Sequence, residues 1–81
     1  MTQVVLITGA SGGIGYAAAL AFAKHGAHVA VTARRAERLA TLEHETATLP
    51  APHGDCLTIP ADVTDADAMR TAVEQTVARF G

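Results

Sequence analysis

Aromatic residues make up only 4% of this 81-residue chain, so its core must be built mostly from Ala, Val and Leu. Cysteine is scarcer still, and the single Cys56 excludes an internal disulfide framework. No apolar run approaches the roughly 20 residues that a membrane-spanning helix needs. Nor does any Lys or Arg precede the short run Val4–Ile7, as one would in a secretory leader. These absences give the expectation of a cytoplasmic protein with no membrane partner. Strong charge of either sign is missing as well. A net charge of −2 and a pI near 6.0 supply no field for attracting nucleic acid or an anionic surface. The four histidines, His25, His28, His44 and His53, lack metal-ligand spacing, so no metal site is expected.

What remains is a soluble globular composition, 49% hydrophobic and 17% charged, in one domain close to the size at which a single core becomes marginal. Val4–Ile7, closed by Thr8-Gly9, suits a strand buried on both faces of a parallel sheet. Ile14, Ala17, Ala18, Ala21 and Phe22 recur at helical steps up to about His25, and Gly26 stands where a C-cap glycine belongs. His28–Ala33 reads as a second strand, and Ala36 to about Thr48 as a second helix with Leu39 and Leu42 on one face. The segment Pro50–Asp55 breaks it. Cys56–Ile59 reads as a third strand, placed at a sheet edge by Pro60, with Cys56 a small core residue. Thr64-Asp65-Ala66-Asp67 forms a capping-box pattern opening a last helix carried by Met69, Val73, Val77 and Phe80. The order βαβαβα implies an α/β, Rossmann-like three-layer fold, here an incomplete half with parallel strands ordered 3-2-1. Both crossover helices then fall on one face and the last helix on the other.

Glycine, in contrast, is concentrated. Four of the eight residues in Thr8–Gly15, TGASGGIG, are glycine, out of seven in the chain. Between a first strand and a first helix such a turn gathers backbone N–H groups at the positive end of the helix, a site for phosphate or pyrophosphate. The alternative is a tight turn with no ligand, for which one or two glycines suffice. A Walker A loop is excluded because no lysine precedes Lys24. The fingerprint G-x-G-x-x-G/A fits formally at Gly13, Gly15 and Ala18, but starts well after the strand has ended.

Thr8, Gly9, Gly13 and Gly15, read as Thr-Gly-x-x-x-Gly-x-Gly, resemble the cofactor loop of the classical short-chain dehydrogenases/reductases. With Gly12 the loop fits equally the Gly-x-x-Gly-x-x-Gly form of the extended branch. The segments Phe22–Ala27, Arg34–Leu39 and Ala61–Asp65 favour the classical branch, and the resemblance covers essentially the whole chain. It implies that Gly9, Ser11, Gly12, Gly13, Ile14 and Gly15 bind a nicotinamide dinucleotide, and that Asp62 and Val63 lie along its adenine. On the residues alone, Asp62 reads equally as a loop carboxylate bonded to nearby backbone N–H groups.

An NAD-binding fold places an Asp or Glu about 20 residues past the glycines, at the end of the second strand, to hold the ribose 2′-hydroxyl. Here Ala33 occupies that position, followed by Arg34 and Arg35. With Arg38 they crowd the start of a helix, where cations oppose the dipole. The 2′-phosphate of NADP would relieve that, with Arg34 as its main clamp. The cofactor expected is therefore NADP(H) over NAD(H). The competing reading is a solvated basic helix start paired with Glu37.

The family's catalytic Tyr-x-x-x-Lys pair and serine have no match, since the only tyrosine is Tyr16 and Leu20 stands four residues on. Tyr16 reads as packing or surface. Residues 1–81 are accordingly expected to be the N-terminal NADP-binding part of a single Rossmann-like domain, inactive in isolation. The complete protein would be an oxidoreductase passing hydride between nicotinamide and a carbonyl/alcohol substrate, and homo-oligomeric. The alternative is a non-catalytic NADP(H)-binding module or an inactive remnant.

Overall fold

The run His28-Val29-Ala30-Val31-Thr32-Ala33, small or β-branched at nearly every position, suits a strand enclosed on all sides. In the computed structural model, which describes residues 3–9, 13–62 and 64–81, it is the central strand. The elements are β1 (Val4–Thr8), α1 (Gly13–Lys24), β2 (His28–Ala33), α2 (Ala36–Ala47), β3 (Cys56–Pro60) and α3 (Ala66–Phe80). The sheet is parallel and ordered β1-β2-β3, with Leu6 beside Ala30 and Ala30 beside Leu57. The fold is the α/β, Rossmann-like arrangement expected. Pro60, the last residue of β3, does lie on an edge strand, where its missing N–H costs no ladder bond.

Alternation along β2 sorts the layers. Val29, Val31 and Ala33 form a core with Ala19 and Ala23 of α1 and Leu39 and Leu42 of α2. His28, on the opposite face, stacks its ring on Phe80 of α3 at 4.8 Å. The two crossover helices thus share one face and α3 covers the other. Burying Leu42 or Val29 completely contributes about 1.5–3 kcal/mol each. Cys56 is half-buried against this core, and burial pushes its thiol pKa up.

Three expectations need correction. β1 is half-buried rather than enclosed, with Val4 40% exposed, because among the described residues no strand pairs with its outer edge. α1 and α3 bury residues outside the apolar stripes read from the sequence, although Phe80 of the α3 stripe does pack on the sheet. α1 buries Ala19 and Ala23 while Ile14 is 90% exposed. α1 is apolar almost all round, so the selecting factor is small size against the sheet. α3 likewise buries Ala72 and Thr76 and leaves Val73 48% and Val77 59% exposed. Thr76 tolerates burial because its hydroxyl donates to the Ala72 carbonyl at 2.7 Å. Finally, the N-cap of α3 is Asp65, not Thr64. Its carboxylate accepts from the N–H groups of Asp67 and Ala68, each at 3.1 Å, while Thr64 bonds to Asp62.

α1 ends as expected. Gly26 has φ of +93°, and Ala27 N–H donates back to the Phe22 carbonyl at 3.0 Å. The segment after α2 closes on this end, with Gly54 N–H donating to the Ala23 carbonyl at 2.9 Å. Gly54 is buried there, and a Cβ on it would lie 1.6 Å from the Ala27 carbonyl oxygen. Gly54→Ala should therefore cost at least about 3 kcal/mol, since one backbone must be pushed off the other. Denaturant titration checks this, and a loss under about half a kcal/mol would contradict the close approach.

Tyr16 ties α1 to α2. Its hydroxyl donates to Glu45 Oε1 at 2.6 Å, and the Arg38 guanidinium lies over its ring, 5.0 Å from the centroid. Burial, and then the bond to Glu45 and its charge, push the phenol up to about 12. The bond's contribution is full below the ordinary tyrosine value of 10.0 and is lost as pH rises through about 12. Because Tyr16 is the sole tyrosine, phenolate absorbance reads it directly. The midpoint should stand near 12 and fall in Glu45→Gln; an unshifted midpoint in the wild type would remove this contact.

Candidate functional site

Parallel strands end on one side of their sheet, so the segments leaving β1, β2 and β3 emerge along a common edge. After β1 comes Gly9, whose φ of +72° suits glycine. A Cβ at Gly9 or at Gly13, the first residue of α1, would meet nothing within 4 Å. Among the described residues Gly9 and Gly13 therefore have open space beside them, and α1 directs its positive end to the same side. Ile14 is exposed and Gly15 half-buried within the first turn of α1. Ser11, Gly12 and Val63, expected at the site, lie outside the described residues.

After β2, Arg34 and Arg35 stand on the same edge, both exposed. Arg35 is the N-cap of α2 and makes no side-chain capping bond. Arg38, one turn on, points to the Tyr16 ring instead. No ion pair joins Glu37 to an arginine among the described residues.

Asp62 follows β3. Its Oδ1 accepts from Thr64 N–H at 2.9 Å and from Thr64 Oγ1 at 2.8 Å. Its Oδ2 lies 3.4 Å from Arg34 Nη2. The two bonds from Thr64, and then the Arg34 charge, hold the Asp62 carboxyl below the usual carboxylate range. Arg34, Pro60, Ala61 and Asp62 together line a shallow depression of about 340 Å³. The structure thus brings Arg34 and Asp62 together, and it supplies the loop bonding that the residue-level reading of Asp62 anticipated.

Sequence reasoning missed that pairing, although the signal was present. In a parallel 3-2-1 sheet, Ala33 and Pro60 are register partners, and Ala61 N–H donates to the Ala33 carbonyl at 3.0 Å. The residues just beyond must then lie side by side. Thr32 was missed too: its hydroxyl, near the end of β2, is the one buried side-chain polar atom left without a partner among the described residues. Those residues also contain no group of three His, Cys, Asp or Glu placed to hold a metal ion, and no helix long and apolar enough to cross a membrane.

A family model for short chain dehydrogenase matches residues 3–81. The chain is 51% identical over 79 residues to the A-factor type gamma-butyrolactone 1′-reductase (1S-forming) of Streptomyces virginiae, covering 98% of this chain and 30% of that enzyme. It superposes on a short-chain type dehydrogenase/reductase from Mycobacterium marinum with a TM-score of 0.87 at 42% identity, covering 98% of this chain and 31% of the other. A metagenomic short-chain oxidoreductase solved in complex with NADP gives a TM-score of 0.83 at 35% identity, covering 98% and 34%. The chain therefore spans about a third or less of the length of these relatives. Matched along almost its whole length in both sequence and fold, it belongs to the short-chain dehydrogenase/reductase family.

Proposed function

We propose that residues 1–81 are the N-terminal, cofactor-binding part of a single Rossmann-like domain in an NADP(H)-dependent oxidoreductase. The complete enzyme would pass hydride between nicotinamide and a carbonyl/alcohol substrate and work as a homo-oligomer. The observation that carries the cofactor choice is Arg34 at the end of β2. Ala33 leaves no carboxylate for a ribose 2′-hydroxyl, and a guanidinium stands in its place beside the depression before α3. The 35% identity to an enzyme solved with NADP supports the same choice.

In this reading the backbone N–H groups at Gly13, Ile14 and Gly15, with Gly9, Ser11 and Gly12, cradle the pyrophosphate at the start of α1. Arg34 clamps the 2′-phosphate, Arg35 adds positive charge, and Asp62 and Val63 hold the adenine. Nicotinamide, when bound, supplies or accepts the hydride. These residues bind and orient it, and none is proposed to move a proton. The alternative is a non-catalytic NADP(H)-binding module; Tyr16, held by Glu45, takes no catalytic part in either reading. NADPH consumption with a carbonyl substrate separates the two.

Two substitutions test the binding reading by titration calorimetry. Arg34→Ala should weaken NADP(H) by about 1.5–3 kcal/mol, the scale of hydrogen bonds between charged groups, and leave NAD(H) nearly unchanged. Equal losses for both cofactors would refute the 2′-phosphate assignment. Gly13→Val should abolish binding of either dinucleotide while the fold survives, because a Cβ there meets nothing within 4 Å among the described residues. Undiminished binding by the folded variant would return the loop to a simple tight turn.

A further inference from the structure

Arg34 is already paired in this structure, and its partner is held in place. Two bonds from Thr64 fix Asp62 Oδ1, which leaves Oδ2 facing the guanidinium at 3.4 Å. The site therefore contains its own anion, positioned on the group proposed to bind a phosphate. We propose that Asp62 is a cofactor-specificity residue that acts through Arg34, its immobilised carboxylate competing with the cofactor's 2′-phosphate for the same guanidinium. The inference rests on the NADP(H) reading above and deepens it.

The competition is unequal, as the geometry requires. At 77% and 37% side-chain exposure the pair is in high dielectric and weak. A 2′-phosphate carries more charge and can take two parallel bonds from Arg34. The phosphate therefore displaces the carboxylate, at a cost in affinity set by the pair. A ligand ending in a 2′-hydroxyl leaves the pair intact and bears no such cost. Asp62 thus narrows the preference for 2′-phosphorylated ligands that Arg34 creates, even where it assists adenine binding for both kinds.

The full chain, titrated with adenosine 2′,5′-bisphosphate and with AMP, provides the test. The ratio of the two affinities isolates the 2′-phosphate and cancels any shared adenine contact. Asp62→Asn keeps an oxygen for the two Thr64 bonds and removes the charge. It should raise that ratio roughly two- to fivefold, the scale of an exposed ion pair. In an Arg34→Ala background the same substitution should leave the ratio unchanged. An unchanged or lower ratio in Asp62→Asn alone would overturn the proposal, as would an equal rise without Arg34, which would mean simple repulsion. If Arg34→Ala by itself leaves the ratio unaltered, the cofactor reading has failed and this inference falls with it. The wild type gives a check without substitution. The Asp62 carboxyl carbon resonance should move further with the bisphosphate than with AMP, and equal shifts would count against displacement.

Discussion

The enclosure of β2 is the constraint on which the rest of the molecule depends. From Val29 to Ala33 no residue exceeds 2% exposure, and each backbone edge is occupied by a parallel neighbour. A parallel pair needs a crossover of a dozen or more residues, so α1 and α2 follow from the pairing itself. Their apolar faces then supply the cover that Val29, Val31 and Ala33 require. Shared strand direction carries this constraint to the site, because three strands running the same way must deliver Gly9, Arg34 and Asp62 to one edge.

Tight approach of backbones limits how the layers close. Ala19 and Ala23 face the sheet from one side and Ala72 and Thr76 from the other, all of them small. Large apolar residues on the same helices, Ile14 and Val77 among them, remain exposed. Gly54 belongs to the same pattern, since its missing side chain lets the segment before β3 lie directly on Ala27. The Ala-rich composition is therefore matched to a thin, closely layered fold.

The element order and most boundaries were legible in the sequence, because strand runs, helix periods and glycine stops point the same way in this chain. Leu39 and Leu42 were legible as core because α2 is otherwise polar. The inward faces of α1 and α3 were not. In α1 nearly every position is apolar, so periodicity carries no direction. In α3 the valine stripe outweighed Ala72 and Thr76, whose role depends on distance to the sheet. The Asp65 cap was misplaced by one residue because Thr64 had a competing partner in Asp62, which no local pattern records. At the candidate site the residue types were legible one by one, whereas the Arg34–Asp62 contact spans two elements and needed the strand register to be drawn out.

The three helix N-termini on the site edge differ in how their positive ends are answered, and the difference bears on where an anion would bind. α3 answers its own, through the Asp65 cap and Asp67 in the first turn. α2 has Glu37 in its first turn, opposed by Arg35 at the cap. α1 has no acidic residue in its first turn, and beside it Gly9 and Gly13 leave open space. A helix start with no acidic residue in its first turn attracts an anion by about 0.3–1 kcal/mol at an exposed site, which supports the proposed seating of the pyrophosphate at α1. Arg34, one strand away, carries the nearest exposed positive charge to the depression before α3. A ligand with two anionic groups, one set on α1 and the other at Arg34, would use both features at once, as the pyrophosphate and 2′-phosphate of the proposed cofactor would.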